Sequence, residues 1–200
     1  MAASEQASFI LMVLQTEEMK LPNALRKCGV NIEDLDFVIN THLHWDHCFG
    51  NPLIRGKKIF VQKKEVEFAE NPLPTYYLTY ESSHVNMTPQ WTYNREGLEI
   101  VDGDTSIVPG IELILLPGHS PGFQGVLVET TKGKYLLAGD FIGQMENWTG
   151  NGIHKHIIPA SNVSQFDCYK SFEKLDMLDL ADRVLPGHDM IVFEHEIYPY

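Results

Sequence analysis

Two hundred residues, 44% of them hydrophobic, can form one domain, residues 1–200, with a substantial core. Fifteen basic against 27 acidic residues leave a net charge of −12, which opposes binding to a nucleic-acid backbone and favours a small, neutral or weakly charged substrate. No apolar run approaches the roughly 20 residues that cross a bilayer, and Cys28, Cys48 and Cys168 are too few, and odd in number, for a disulfide framework, so a reducing cytoplasm is expected.

The chain opens with a polar stretch, Met1 to Ser8, and a brief apolar run, Phe9-Ile10-Leu11-Met12-Val13-Leu14. That run is too short for a signal-peptide core, and no basic residue precedes it. A helix is expected around Pro22 to Cys28. Asp36-Phe37-Val38-Ile39-Asn40 alternates as a short strand, and Thr41-His42-Leu43-His44-Trp45-Asp46-His47 follows just past its end. Three imidazoles and a carboxylate this close have few bland explanations. Neutral imidazole nitrogen and carboxylate oxygen are the ligands that borderline divalent cations such as zinc prefer. A loop lets His42 and His44 converge from i and i+2, which neither a straight helix nor a single sheet face would force. Cys48 reads as a small buried packing residue.

Further strands are expected at Lys58–Gln62, Glu99–Val101, Ile111–Leu116, Gly125–Thr130, Tyr135–Ala138 and Arg183–Leu185, with helices near Lys64–Ala69 and Ser164–Leu180. Asn71 to Trp91, rich in Pro, Tyr and Met, lacks periodicity and reads as a long loop over a site. Asp102-Gly103-Asp104 reads as a hairpin turn, the alternative being carboxylates that brace a ligand histidine. Strand 111–116 runs into Pro117-Gly118-His119-Ser120-Pro121-Gly122, strand 135–138 into Gly139-Asp140, and strand 183–185 into Pro186-Gly187-His188-Asp189. Four strand-end loops therefore deliver His or Asp, each turned by a small residue or proline. Gln144 to Pro159 reads as a second loop near the site, with His154 and His156 facing solvent. In the last helix Phe166, Tyr169, Phe172, Leu175 and Leu178 form the expected core face. The mix fits an α/β sandwich in which helices cover two packed sheets.

The motif His42-x-His44-x-Asp46-His47, followed by His119, Gly139-Asp140 and Gly187-His188, resembles the metallo-β-lactamase-fold hydrolases. Within them, Thr41 to Cys48, Pro117 to Gly122, Glu146-Asn147-Trp148 and Leu185 to Asp189 most resemble the N-acyl homoserine lactonase-like branch. The likeness runs from about Leu21 to near the C-terminus. It implies an αββα sandwich of the α/β (α+β) class. It also implies a ligand set: His42, His44 and His119 for one metal, Asp46, His47 and His188 for a second, and Asp140 bridging both. A cysteine at position 140 would point to the β-lactam-cleaving zinc enzymes, and a glutamate at position 44 to the oxygen-reducing di-iron relatives. Such a donor set suits two zinc ions, with iron, cobalt or manganese left open by ligand type.

The chemistry implied is hydrolysis of a lactone by a hydroxide held between two divalent cations, since a bound cation lowers the water pKa from 15.7 to about 7. Asp46, or Asp140 after ring opening, would pass a proton to the leaving alkoxide. Quorum-signal lactones lead as substrates, and aromatic and methionine side chains near the cleft would suit an acyl chain. A glyoxalase II-type thioesterase or another small-ester hydrolase shares the ligands, although the former needs basic residues that are not clustered near these motifs. A metal-binding protein without turnover is the remaining alternative.

Two features depart from the branch. Its lactonases carry a tyrosine three residues after the bridging aspartate, where this chain has Gly143. Tyr76, Tyr77, Tyr80 and Tyr93 are the candidates to replace it. The usual opening strands also precede the histidine motif in relatives, whereas here only 41 residues do. The sandwich is therefore expected to be N-terminally shortened. Phe9–Leu14 is either a substitute strand or the remnant of a truncated one, and a sheet edge left unpaired would offer a route to homo-oligomers.

Overall fold

The computed structural model describes residues 15–200; the Phe9–Leu14 run lies outside the described residues. The described chain falls into two units, one ending at Leu35 and one spanning Asp36–Tyr200. In the first, helix α1 (Leu21–Lys27) places Pro22 in its first turn, where the missing N–H has no helical partner to lose. A Schellman closure ends it: Val30 N–H donates to Leu25 O at 3.1 Å and Gly29 N–H to Arg26 O at 3.0 Å.

The second unit holds two sheets. Strands β1 (Phe37–Ile39), β2 (Lys58–Gln62) and β3 (Leu98–Val101) form a parallel sheet in that order, and among the described residues β1 pairs with β2 alone. Strands β4 (Thr105–Val108), β5 (Ile111–Leu115), β6 (Gln124–Thr130), β7 (Gly133–Gly139) and β8 (Val184–Pro186) form the other sheet. Its first four strands are antiparallel and β8 joins β7 in parallel. Between the strands run α2 (Trp45–Cys48), α3 (Lys63–Glu70), α4 (Met145–Thr149) and α5 (Gln165–Asp176).

Because β3 and β4 belong to different sheets, Asp102-Gly103-Asp104 is a corner between them and not a hairpin turn. The Gln62 amide grips the corner, accepting from Gly103 N–H and donating to Gly103 O, each at 2.9 Å. The Asp104 carboxylate braces no histidine; it accepts from Leu115 N–H at 2.9 Å and from the Lys174 ammonium at 2.6 Å.

One core cluster lies between the five-stranded sheet and α5, built from Ile114, Leu116, Leu127, Leu136 and Val184 against Cys168, Phe172 and Leu175. The expected face of α5 is displaced from the observed one. Phe166 and Tyr169 are 72% and 52% exposed, while Cys168, Ser171, Phe172 and Leu175 are buried. The buried stripe includes two small residues that an aromatic and aliphatic count passes over. They let the helix approach the Pro117 turn closely enough for Ser171 Oγ to donate to Pro117 O at 2.7 Å.

A second cluster gathers Leu43, Cys48, Val61, Ala69, Tyr80 and Trp91. Segment 71–91 is thus part of the core as well as a connection, with short 3-10 turns at Pro74–Tyr76 and Ser83–Val85. Buried amides tie the two sheets together. Gln124 Nε2 donates to Asn40 O at 2.8 Å and its Oε1 accepts from Gln62 Nε2 at 2.9 Å. Asn40 and Asn51 exchange side-chain hydrogen bonds, and Asn40 Nδ2 also holds His47 O at 3.0 Å. Buried amides left unpaired would each cost about 1–3 kcal/mol, so this set specifies how the sheets register.

Candidate metal centre

All seven side chains named from the sequence arrive at one place, at the ends of β1, β5, β7 and β8. His42, His44, His119 and Asp140 form one group and Asp46, His47 and His188 another, each with donor atoms within 4.8 Å of one another. His119 Nε2 lies 3.3 Å from His42 Nε2 and 3.1 Å from His44 Nδ1. Asp140 spans the groups. Its Oδ2 is 3.9 Å from His42 Nε2 and 3.6 Å from His119 Nε2. Its Oδ1 is 2.9 Å from His47 Nε2 and 3.0 Å from His188 Nε2. Asp46 Oδ2 completes the second group, 3.4 Å from His47 and 3.9 Å from His188.

Local backbone geometry delivers these groups. The Asp140 and His188 loops meet through glycine: a Cβ on Gly187 would fall 2.6 Å from the Gly139 carbonyl carbon. Gly187 N–H donates to Gly139 O at 3.1 Å and His188 N–H to Gly143 O at 2.9 Å. Any side chain at Gly187 would push the two loops apart. The His119 loop is held from the other side, where Val163 N–H donates to Gly118 O at 2.7 Å. The His42 loop is tied to segment 71–91 by Trp45 N–H donating to Thr79 O at 2.9 Å.

Outer hydrogen bonds orient the rings. His119 Nδ1 faces Ser161 O at 2.8 Å, which requires Nδ1–H and leaves a lone pair on Nε2. His42 Nδ1 lies 3.1 Å from the Thr41 hydroxyl, leaving its Nε2 for the centre. Burial, reinforced by the neighbouring imidazoles, pushes His42 well below the usual histidine value. Burial likewise brings His44 down to about 3 and lowers His119. Three neutral rings therefore bring their nitrogens to one place. Burial opposes the charged forms of Asp140 and His47, but their mutual contact wins: Asp140 is held at about 2 and His47 raised to about 9. Asp46 is lowered as well, burial being outweighed by the His47 ring 3.4 Å away.

This arrangement fits divalent metal. A tetrahedral zinc with bonds of about 2.0–2.1 Å sets its nitrogen ligands roughly 3.3 Å apart, close to the spacings among His42, His44 and His119. His47 Nε2 and Asp140 Oδ1 are buried and close, yet neither has a hydrogen-bond partner of acceptable geometry. Donors aimed at a shared point and not at each other are what coordination requires. The first group is closed, His42 and His44 being 0% and 2% exposed. The second opens to solvent, with the His188 and Asp46 side chains 50% and 34% exposed.

Residues 6–188 match the family described as the metallo-beta-lactamase superfamily. The chain belongs to that superfamily. Among curated members it is 32% identical over 178 residues to an N-acyl homoserine lactonase of Bacillus sp, covering 88% of this chain and 64% of the relative. To the N-acyl homoserine lactonase of Bacillus cereus it is 35% identical over 180 residues, with the same coverage. A solved N-acyl homoserine lactone hydrolase with N-hexanoyl-L-homoserine bound at its catalytic metal centre superposes with a TM-score of 0.72 at 27% identity, over 92% of this chain and 68% of that one. The chain thus spans less than two thirds of the two curated lactonases, 64% of each, and 68% of the solved chain. Their α/β sandwich is the fold of this chain.

Other candidates lie elsewhere in the superfamily fold. His156, expected to face solvent, is buried: its ring stacks between Trp148 and Phe172 at 4.8 and 4.5 Å, and its nitrogens face Trp148 O and Asp176 Oδ1. His154 is exposed. Cys48 is buried, as expected, and burial pushes its thiol up to about 12. At Gly143 a Cβ would find its nearest neighbours, Asp140 O and Asn147 Oδ1, 3.8 and 4.0 Å away. Of the four tyrosines, Tyr77 stacks on His84 and Tyr93 is exposed. Tyr76 and Tyr80 lie beside His44, at ring distances of 6.4 and 4.6 Å, with hydroxyls bound to Asn162 O and Glu65. Sequence reasoning passed over Thr41, the Ser161 carbonyl and Glu65. Only Thr41, inside the histidine motif, carried a local signal.

Proposed function

We propose that this chain is a dinuclear metal-dependent hydrolase that opens the ester bond of a lactone, N-acyl homoserine lactones being the leading class. The observation that carries the reading is the division of Asp140, one carboxylate oxygen facing each donor group. His42, His44 and His119 would hold one ion, most suitably zinc, Asp46, His47 and His188 the other, and Asp140 both. Two bound divalent cations would supply water activated near neutral pH and positive charge against a developing oxyanion.

The chain's own residues do the rest. Asp46, on the solvent side and kept ionised by His47, takes the proton released by the attacking water and returns it to the alkoxide when the ring opens. Asp140 is the second carboxylate within reach of that proton. The closed wall of His42, His44 and His119 directs substrate to the His188 side, the open face of the centre. The lactonase names of the relatives and the homoserine product bound at the metal centre of the structural neighbour support the ester class.

Metal analysis combined with a panel of acyl homoserine lactones and acyl thioesters tests the reading. Two ions per chain with lactone turnover, lost in Asp140→Ala and His119→Ala, is the expected result. Turnover of thioesters alone would replace it with a glyoxalase II-type activity. Two ions with no turnover would leave a metal-binding protein.

A further inference from the structure

Glu65 is 0% exposed in the first turn of α3, and its carboxylate meets donors from three separate segments. Oε1 accepts from Leu43 N–H at 2.9 Å and from the Tyr80 hydroxyl at 2.8 Å. Oε2 accepts from the Ser120 hydroxyl at 2.6 Å and from Gly122 N–H at 3.2 Å. Leu43 sits between His42 and His44, and Ser120 follows His119 directly. One carboxylate therefore ties together the two loops whose imidazole nitrogens converge, and it also fixes Tyr80, whose ring meets His44 edge-on.

The surroundings are built for this contact. A Cβ on Gly122 would fall 2.1 Å from Glu65 N, so only glycine lets the His119 loop approach the start of α3 closely enough. Two backbone amides and two hydroxyls converge on the two oxygens, and none of these four donors carries a charge. Burying a carboxylate without a cation costs several kcal/mol unless its lone pairs are satisfied. An uncharged packing residue would avoid that cost. What four acceptor positions on one rigid group add is a fixed spacing between two loops.

We infer that Glu65 is a positioning residue for the first metal group, setting the distance and orientation of His42 and His44 relative to His119. It touches neither substrate nor ion; it acts through the peptide of Leu43 and the Ser120–Gly122 turn. The inference rests on the metal-centre reading above. In Glu65→Gln one oxygen becomes an amide nitrogen that cannot accept from its backbone N–H, so that bond is lost and the neighbouring hydroxyl must turn from donor to acceptor, with the side-chain volume kept. In Tyr80→Phe and Ser120→Ala the carboxylate stays and one bond goes.

The test is zinc affinity of the whole chain, measured by competition with a chromophoric chelator, with cobalt(II) substituted as a spectroscopic probe. Outer hydrogen-bond partners of metal ligands change affinity by about 10–100-fold. Glu65→Gln is expected to weaken the site of His42, His44 and His119 by that factor and to alter the cobalt d–d bands, with Tyr80→Phe and Ser120→Ala weakening it by smaller factors. Adding Tyr80→Phe to Glu65→Gln is expected to cost less than the single changes combined, since the two share one bond. If Glu65→Gln does not fold, the two donor variants carry the test. Variants that fold yet keep wild-type affinity and cobalt spectrum overturn the inference, even if they unfold at lower temperature. A wild-type chain that binds no zinc overturns the metal-centre reading and this inference with it.

Discussion

Alanine at Gly122 and alanine at Gly143 should move stability in opposite directions, although both glycines belong to loops of the same centre. At Gly122 an added Cβ would lie 2.1 Å from Glu65 N and 2.5 Å from Glu65 Cα. Carbon contacts are comfortable at about 3.5–4.0 Å, so loop and helix would have to separate by about 1 Å or more. Both obstructing atoms are backbone and cannot swing aside. Overpacking costs about 1–3 kcal/mol, and this case belongs at the top of that range. The same movement stretches the bond from Gly122 N–H to the Glu65 carboxylate, and bonds to charged groups contribute about 1.5–3 kcal/mol. A loss of about 4 kcal/mol follows, or roughly 8–16 °C in Tm for a chain of this size. At Gly143 the nearest atoms to a Cβ are 3.8 and 4.0 Å away, and φ −69°, ψ −37° is ordinary helical backbone. Alanine there removes unfolded-state freedom and should add about 0.4–1 kcal/mol. Urea and thermal unfolding followed by circular dichroism, with EDTA present so that metal does not contribute, measure both. A Gly122→Ala variant within about 1 kcal/mol of wild type, or a Gly143→Ala variant that falls as far as Gly122→Ala, would refute the close-approach argument.

Three further outcomes are expected. Phe172→Ala, in the centre of the main core, should lose about 3–5 kcal/mol, whereas the 72% exposed Phe166 should change by no more than about 0.5 kcal/mol on the same truncation in urea. Asp176 is lowered from 3.8: slight burial raises it, but Lys155 at 2.6 Å and His156 at 2.9 Å prevail. Its stabilising effect is therefore complete above the unfolded value of 3.8 and lost as pH falls through the folded one. Asp176→Asn should flatten the acid limb of Tm against pH by less than about 1 kcal/mol, since solvent screens the pair; an unchanged limb would discard the pair as a source of acid sensitivity. Free zinc at about one hundred times a site's Kd should stabilise the chain by about 2.7 kcal/mol for each site filled, read in a thermal shift assay; Asp140→Asn should abolish most of that gain, and a wild-type shift retained by the variant would contradict the bridging role.

The strand-end loops and the seven polar side chains they carry were legible in the amino-acid sequence. A strand of alternating residues followed by glycine or proline marks where a loop begins, and His-x-His-x-Asp-His is dense enough to stand out without tertiary information. The α/β sandwich followed from the same alternation of strands and helices. Where prediction and structure part, the missing information is three-dimensional. The buried face of α5 is set by how closely the helix can approach the Pro117 turn, so Cys168 and Ser171 face inward and Phe166 and Tyr169 outward. Asp102-Gly103-Asp104 has the composition of a hairpin turn, but pairing partners decide that it joins two sheets.

Local pattern therefore determined which donors this chain possesses and at which loops they stand, because turns and strand ends are written in neighbouring residues. Only the tertiary structure decided how those donors divide around Asp140, and that Glu65, His156 and the Asn40–Gln124 amides are buried. A buried polar group is specified by partners that lie 7 to 84 positions away in these cases, and no local periodicity records that distance.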